Sequence, residues 1–374
     1  MVELFFDLVF VFAVTQLSHG LLADLSVRGA VHTALLLAAV WWVWIYTSWV
    51  TNWLDPGRAA VRACLFVLML LGLWLSVSLP RAFTDRAWVF ALAYVAMQLG
   101  RTGFFLWAVR HERLAMRRNF QRIAIWFAFS GVVWLLGSSV EGPARVALWA
   151  AALGLELIAP ALYFRVPGLG RSSTADWDID GAHLAERCGL FIIIALGESL
   201  LVTGATFAAL PWTAATVGAF ITAFVSTVAM WWLYFDKGLA AGHHRIVHGS
   251  DPGRTARLGY TYLHLPLVAG ILLCAVADEL VLAHPVHADT AAMLALLGGP
   301  ALYLLGVAAF KWSATGRSLP PLSHLVGLVL LAALALPATL HWFSALALAA
   351  AASAVLAIVA FWEHLSLRRA ASLH

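Results

Sequence analysis

Long apolar stretches alternate with short polar connectors along almost the whole chain. A helix that crosses the hydrocarbon core of a bilayer needs about 20 mostly apolar residues. Runs of that length predict spanning helices at residues 3–21, 32–54, 60–79, 87–110, 120–138, 145–164, 184–206, 213–236, 257–280, 290–311, 322–340 and 343–364. We therefore predict an all-α integral membrane protein with about twelve transmembrane helices, since helices satisfy their own backbone polar groups in lipid.

The composition supports this class and excludes others. Of the 374 residues, 63% are hydrophobic and 11% are charged, whereas soluble domains carry about 25% charged residues. Lipid as the outer solvent explains the difference, and the connectors are too short for a sizeable soluble domain. The basic residues lie in short connectors, where they indicate topology, and are not arranged as a nucleic-acid-binding patch. We expect the lipid bilayer as partner, a small solute or ion as ligand, and no nucleic acid.

The connector charges predict the orientation of the helices. Basic residues concentrate in every second connector, most densely after the fourth span at Arg110, Arg117 and Arg118. Of the 23 Lys and Arg residues, those outside this set are Arg28, Arg81, Arg86 and Arg145 in the opposite connectors and Arg101 and Arg187 within spans. Because cytoplasmic loops of membrane proteins are enriched in Lys and Arg, we expect a multi-pass protein of the plasma membrane with both termini cytoplasmic.

The chain also contains an internal repeat. Two sequence motifs and one acidic position recur in order at corresponding helices. The matched pairs are residues 55–58 (DPGR) with 251–254, residues 41–44 (WWVW) with 231–234, and Glu3 with Glu186. We predict two tandem parallel six-helix repeats, residues 1–170 and 171–374, which together form one membrane domain. Repeats of this kind place a shared site on the axis between them.

Three stretches carry a resemblance to a known family. They are residues 3–11 (ELFFDLVFV) with 15–19, residues 183–191 leading to 196–199 (LGES), and residues 262–266 (YLHLP) leading to 270–271. The chain resembles the low temperature requirement protein A (LtrA) family throughout its length. The resemblance implies a bacterial inner-membrane protein named for growth in the cold, and it supplies no established biochemical activity. A looser architectural likeness, through Phe5, Phe6 and Asp7, is to two-repeat TMEM-type potassium channels.

Ionisable residues inside the predicted spans are the candidate functional groups, because each costs about 2.5–3.5 kcal/mol in the membrane unless it has a partner or water. Glu3, Asp7 and Thr15 share one face of the first helix. Glu198 lies twelve residues beyond Glu186, roughly 18 Å along the seventh helix, which predicts a position near mid-bilayer. The candidate ion or substrate site comprises Glu198, Asp7, Glu3, Arg187, Glu186, His183, Thr15 and His264, with Arg101 and Glu156 as possible counter-charges.

Structural explanations compete with these functional ones. Glu3 and Glu186 lie in or near first helical turns, where an acid interacts favourably with the helix dipole. Arg187 could pair with Asp7 or Glu156 simply to hold the two halves together. His264 could relay protons or be a packed, hydrogen-bonded histidine. The aromatic face of the second helix, with Trp42, Tyr46, Trp49 and Trp53, is more typical of packing and of an interfacial belt than of a cation path.

Three functions fit the pattern. The first is a secondary transporter or ion channel, with a site between the first and seventh helices near mid-bilayer. The second is a membrane-embedded enzyme acting on lipid, with Asp7, Glu186 and His264 as acid and base candidates. The third is a non-catalytic membrane protein that supports growth at low temperature. Phosphate-binding glycine loops, serine nucleophile elbows and zinc-protease motifs are absent from the sequence, so we expect no cofactor, no metal and no catalytic residue, and we favour transport.

Overall fold

The computed structural model of the protein describes residues 2–111, 114–173, 180–236, 252–315 and 318–371. All regular secondary structure in these ranges is helical. The long helices are α1 Val2–Ala23, α2 Val27–Trp53, α3 Ala59–Ser78, α4 Ala87–Ala108, α5 Leu114–Ser138, α6 Gly142–Ile158, α7 Gly181–Ala208, α8 Ala214–Phe235, α9 His264–Ala283, α10 Thr290–Thr315, α11 Leu322–Thr339 and α12 Ala345–Ala371. A 3₁₀ turn, Leu79–Arg81, extends α3, while Pro252–Ala256 and the π-helical Arg257–Tyr262 precede α9.

The apolar runs of the sequence coincide with these helices. Among the described residues, 11 helices are long and apolar enough to cross a membrane, which makes the chain a multi-pass membrane protein. The sixth predicted span is α6, whose 17 residues fall short of the length of the others. The prediction extended that span to residue 164, but α6 ends at Ile158. Pro160 follows, and proline restricts the preceding residue and donates no backbone hydrogen bond.

Local side-chain chemistry sets other helix ends. α2 begins at Val27, ahead of the predicted residue 32, because the Ser26 hydroxyl accepts a 3.1 Å hydrogen bond from the Gly29 amide. An N-cap of this kind satisfies one of the backbone donors that a helix start leaves open. α8 begins with a capping box in which Thr213 and Thr216 bond each other's backbone amides. The Ser26 cap extends α2 beyond the edge of the apolar run that predicts it, whereas α8 begins within one residue of its predicted start.

The chain divides into two compact units, Met1–Leu184 and Ala185–His374. In the first unit α3 packs on α1 and α4, α5 packs on α4 and α6, and α2 contacts α1, α4 and α6. In the second unit α9 packs on α10, α8 packs on α12, and α11 contacts α10 and α12. The division falls within the first turns of α7, whereas the sequence predicts a boundary at residue 170, which stays a prediction.

The packing of α9 against α10 in the second unit depends on glycines. A Cβ on Gly270 of α9 would lie 2.7 Å from the backbone nitrogen of Tyr303, and one on Gly299 of α10 would lie 2.9 Å from that of Cys274. Small residues at such positions let two helix backbones approach closely, which is how helices gain packing energy in lipid. The two sites therefore fix the spacing of α9 and α10.

Lys311 lies deeper than its sequence position suggests. The predicted tenth span ends at Lys311, which was counted with the basic connectors, but α10 continues to Thr315 and buries Lys311 to 4% exposure. Asp251, the first residue of the second DPGR motif, lies outside the described residues.

Candidate functional site

Asp7 is fully buried in the first unit and hydrogen-bonded to a tryptophan. It lies on α1 at 0% exposure, and the indole nitrogen of Trp44 on α2 donates to its Oδ1 over 2.7 Å. Trp44 is equally buried and packs against Trp41 with the ring planes tilted by 34°. A carboxylate inside an apolar bundle needs donors of this kind, because its desolvation is otherwise uncompensated. The WWVW motif thus supplies a hydrogen-bond donor to Asp7 as well as packing volume.

Changing Trp44 to phenylalanine tests this bond. The substitution keeps most of the aromatic volume and removes the donor, so it is expected to lower the free energy of unfolding by about 1.5–3 kcal/mol, as for a hydrogen bond to a charged group. The measurement is unfolding by SDS titration in mixed micelles. Trp88→Phe is the matched control, since Trp88 is 47% exposed and should change stability little. Equal effects at both positions would refute the role given to the Asp7 bond.

Glu156 on α6 lies at the centre of a second buried cluster, which we call the Glu156 cluster. Its Oε1 accepts from Ser130 Oγ at 2.7 Å and Trp134 Nε1 at 3.0 Å, both on α5. Its Oε2 accepts from Tyr94 Oη at 2.7 Å and Gln98 Nε2 at 2.9 Å, both on α4. An ionised carboxylate offers about four lone-pair sites, so these donors occupy the group completely.

Arg101 joins the same cluster through Gln98. Its guanidinium donates to Gln98 Oε1, to the Val43 carbonyl at 3.1 Å and to Thr47 Oγ1 at 3.2 Å. It also lies over the Tyr46 ring, 5.5 Å from the centroid. The sequence placed Arg101 and Glu156 together as possible counter-charges. The structure brings them into one network, with the amide of Gln98 between the two charges.

Glu3 and His183 meet at the start of α7. Nε2 of His183 lies 3.1 Å from both carboxylate oxygens of Glu3, and its Nδ1 lies 3.3 Å from the Asn52 amide nitrogen. The Asn52 oxygen accepts from the Asp180 backbone amide at 2.9 Å, which orients the amide so that its NH₂ faces the ring. Nδ1 therefore accepts and Nε2 donates, so a neutral imidazole satisfies both neighbours.

The remaining first-unit candidate, Thr15, is buried, and its hydroxyl bonds back to the Val11 carbonyl at 3.1 Å. In the second unit, the candidate residues of α7 differ from one another in burial. Arg187 is buried at 2% exposure, Glu198 is half-buried, and Glu186 is exposed. Glu198 is the eighteenth of the 28 residues of α7, and its position near mid-bilayer stays a prediction. Its role as an ion or substrate group stays a prediction.

His264 is buried at the first residue of α9, just after the π-helical turn. Its Nδ1 lies 2.8 Å from the Gly259 carbonyl, and its Nε2 lies 2.7 Å from the Tyr234 hydroxyl. Because a carbonyl can only accept, Nδ1 carries the proton and Nε2 accepts from Tyr234. The backbone amide of Leu263 reaches the Leu258 carbonyl at 3.1 Å, the wide spacing of a π-turn. These contacts match the packed histidine that the sequence left as an alternative to a proton relay.

A buried ion pair in the second unit was not singled out from the sequence. Lys311 Nζ on α10 lies 2.6 Å from Glu363 Oε2 on α12, and it donates to the Leu233 carbonyl of α8 at 2.7 Å. Nε2 of His324 on α11 lies 3.9 Å from the same Glu363 oxygen. We call Lys311, Glu363 and His324 the Lys311 cluster. Lys311 and Glu363 both stand near the ends of apolar runs, where sequence analysis expects solvated charges.

The sequence profile described as "Bacterial low temperature requirement A protein (LtrA)" matches residues 1–361. The chain belongs to this family. It is also 42% identical, over 369 residues, to an uncharacterized protein of Rhizobium meliloti (strain 1021), with 98% of this chain and 89% of that protein covered. No solved structure matches the chain. The resemblance stated from residues 3–11 and 183–199 is therefore confirmed, and the LtrA relative adds no named activity.

The first unit of this LtrA-family chain also contains a cavity of about 940 Å³ at the end opposite its basic connectors. The cavity lies among the ends of α1 and α3 and the starts of α2 and α6. Its polar and aromatic lining includes Gln16, Asp24, Arg28, His32, Phe83 and Thr84. The His32 ring stacks on Phe83 at 3.7 Å, and Arg28 lies 3.5 Å from Asp24. The Ser26 hydroxyl, by hydrogen bonding, lowers the pKa of the Asp24 carboxyl in the connector.

Metal ligation has no basis in the described part of the LtrA chain. No group of three or more His, Cys, Asp or Glu side chains there converges as a metal site would require. The three cysteines Cys64, Cys188 and Cys274 are free thiols. The chemistry available to the described residues is that of buried acids, bases and hydrogen-bond donors.

Proposed function

We propose that this protein is a secondary transporter of the plasma membrane, built from two tandem repeats and carrying a small solute or ion. One observation carries the proposal. Each unit holds a buried cation on its fourth helix and a buried carboxylate on its sixth, Arg101 with Glu156 in the first and Lys311 with Glu363 in the second. Ionisable groups within membrane spans are costly, and in membrane proteins they mark substrate, ion and proton pathways.

The hydrogen bonds of the two cations support the repeat. Arg101 donates to the carbonyl of Val43, and Lys311 donates to the carbonyl of Leu233. Val43 and Leu233 are the third residues of the matched motifs WWVW and WWLY. The next residue in each motif also donates to a buried polar group, Trp44 to Asp7 and Tyr234 to His264. Chance similarity of short motifs would not reproduce these long-range bonds.

Transport also accounts for features that a passive scaffold does not need. Parallel repeats are a common architecture of secondary transporters, whose substrate and ion sites lie near mid-bilayer. Glu198, half-buried at the middle of α7, is the residue to which we assign ion or substrate binding. The cavity lined by Asp24, Arg28 and His32 gives a solute access from the face opposite the basic connectors, which we place outside the cytoplasm.

Flux through purified protein tests the proposal. Protein in proteoliposomes under proton, potassium and sodium gradients is expected to carry flux, and Glu198→Gln is expected to lose it while remaining folded, because the amide keeps the shape of the side chain without its charge. The matched control is Glu141→Gln, an exposed acid just before α6, which should leave flux unchanged.

The two outcomes that contradict the proposal are distinct. Normal flux in Glu198→Gln would refute the assignment of Glu198 and leave transport intact. The absence of flux for every ion and for a mixture of small solutes, in well-folded protein, would refute transport. In that case the lipid profile of a deletion strain, complemented with wild type or with Asp7→Asn, becomes the test of the lipid-enzyme alternative.

A further inference from the structure

The two buried charge clusters differ in how much of each carboxylate is already occupied. In the Glu156 cluster four donors fill both oxygens, so a proton could bind only by displacing Ser130, Trp134, Tyr94 or Gln98. Glu363 accepts from Lys311 alone among the residues that the structure describes. Its remaining lone pairs have no donor there, although its exposure is 9%. Glu363 therefore has room for a proton where Glu156 has none.

The cations of the two clusters also differ, because only that of the Lys311 cluster can readily change its charge. A guanidinium stays protonated in proteins, whereas a buried lysine ammonium can lose its proton. Arg101 is separated from Glu156 by the Gln98 amide, so a change of charge on Glu156 would not break a direct ion pair. Lys311 and Glu363 are in direct contact at 2.6 Å. A proton on Glu363 would end that ion pair and leave the ammonium held by the Leu233 carbonyl.

A third group in the second unit completes the acid–base chemistry. His324 is fully buried, its Nδ1 lies 3.2 Å from the Ser323 hydroxyl, and its Nε2 has no hydrogen-bond partner among the described residues. That nitrogen lies 3.9 Å from Glu363 Oε2. The α5 side chains that bond Glu156 are instead a serine and a tryptophan. An unsatisfied buried imidazole next to a carboxylate is suited to exchange a proton with it.

Other charged groups face this site and belong in any account of its pH dependence. Asp236, the residue that caps the end of α8, contributes a negative charge close enough to act on Glu363 and Lys311. It is itself paired with His364 of α12 at 2.7 Å and accepts from Trp232 at 3.2 Å. Within the described part of the chain, the charged and titratable neighbours of Glu363 are thus Lys311 on α10, His324 on α11, Asp236 after α8 and His364 on its own helix.

We infer that the Lys311 cluster is a proton-binding site, with Glu363 as the acceptor, and that the Glu156 cluster is its fixed structural counterpart. The inference rests on the proposed transport function for its physiological meaning, since proton binding would drive solute movement. The step is the transfer of a single proton. One proton from water, taken up directly or first bound by His324 Nε2 to give an imidazolium that returns to neutral imidazole, adds to a carboxylate oxygen of Glu363. The ion pair with Lys311 then breaks, and loss of the proton restores it.

Infrared difference spectroscopy over a pH titration tests the site without needing transport. Lowering the pH on purified wild-type protein is expected to raise the carbonyl band of a protonated, buried carboxyl group. Glu363→Gln should remove the Glu363 component of that band, seen as a loss of intensity relative to wild type, while Glu156→Gln and Asp236→Asn should keep that component. Lys311→Met removes the cation beside Glu363, so the band should then appear at a higher pH than in wild type, because an adjacent positive charge favours the carboxylate.

A second variant separates the effect of losing the Glu363 carboxyl group from the effect of misfolding. Glu363→Gln leaves Lys311 without its counter-charge, whereas Lys311→Met with Glu363→Gln replaces both partners by neutral groups and is expected to fold. The same loss of intensity should be seen in this double variant. A titrating band of unchanged intensity in folded Glu363→Gln, or the same loss in Glu156→Gln, overturns the inference. Absence of flux in proteoliposomes together with the expected band behaviour refutes transport and leaves the proton site standing.

Discussion

Replacing Glu156 by leucine is expected to lower the free energy of unfolding by about 4 kcal/mol or more, a loss at the upper end for single substitutions. The change leaves the donors of Ser130, Trp134, Tyr94 and Gln98 buried without their acceptor. Each buried donor that loses its partner costs about 1–3 kcal/mol. Rearrangement among them recovers part of the loss, since Gln98 already lies 3.3 Å from the Tyr94 hydroxyl.

SDS titration in mixed micelles measures this loss. Glu141→Leu is the matched control, because Glu141 is exposed and its side chain makes no cap hydrogen bond at α6; its effect should lie within about 0.5 kcal/mol. Glu156→Gln is expected to fall between the two, since the amide oxygen still accepts from one pair of donors. A loss below about 1 kcal/mol in Glu156→Leu would contradict the description of Glu156 as the centre of the network.

Gly270→Ala is expected to destabilise the second unit by about 3 kcal/mol, although the added group is a single methyl. Its Cβ would lie 2.7 Å from the backbone nitrogen and 2.8 Å from the Cα of Tyr303. Backbone atoms cannot rotate away as a side chain can, so α9 and α10 must separate. That separation weakens dispersion contacts along the whole length of the two helices.

The control for this prediction lies on α10. An alanine at Gly298 would meet only Leu273 Cδ2, at 3.4 Å, which is ordinary contact with a flexible side chain. Since alanine loses less backbone entropy than glycine in a helix, Gly298→Ala should be neutral or stabilising by up to about 1 kcal/mol. The two variants are compared by thermal loss of monodisperse protein in detergent. Equal stability of the two would refute the close backbone approach of α9 and α10.

Much of the fold can be predicted from the sequence because each spanning helix forms its backbone hydrogen bonds within its own segment. The run at residues 60–79 and α3, Ala59–Ser78, agree to within one residue. Disagreements occur where polar chemistry acts at a helix end. Ser26 starts α2 early, and Pro160 ends α6 early. Both signals were present in the sequence, but a hydropathy pattern alone gives them no weight.

The candidate site was predicted less completely. Asp7, Arg101, Arg187 and Glu156 were recognised as intramembrane charges, and all four are buried. Lys311 and Glu363 were missed because each stands close to the end of its apolar run, where charges are normally solvated. The WWVW and WWLY motifs would not have identified Lys311 either, because the motifs lie 190 residues apart whereas Arg101 and Lys311 lie 210 residues apart. The bonds of these two side chains to the Val43 and Leu233 carbonyls are seen only in the structure.

The sequence by itself determined the class of the protein, its family, the position of almost every helix and the identity of some of its buried charges. These properties depend on local runs of apolar residues, on caps and prolines, and on short motifs. Only the tertiary structure decided which groups meet: that four donors from α4 and α5 converge on Glu156, and that Glu363 meets Lys311 and an unsatisfied His324 nitrogen. The reason is physical, because the rotation of each helix about its axis is set jointly by all the helices packed against it, and a difference of one residue turns a side chain by about 100°.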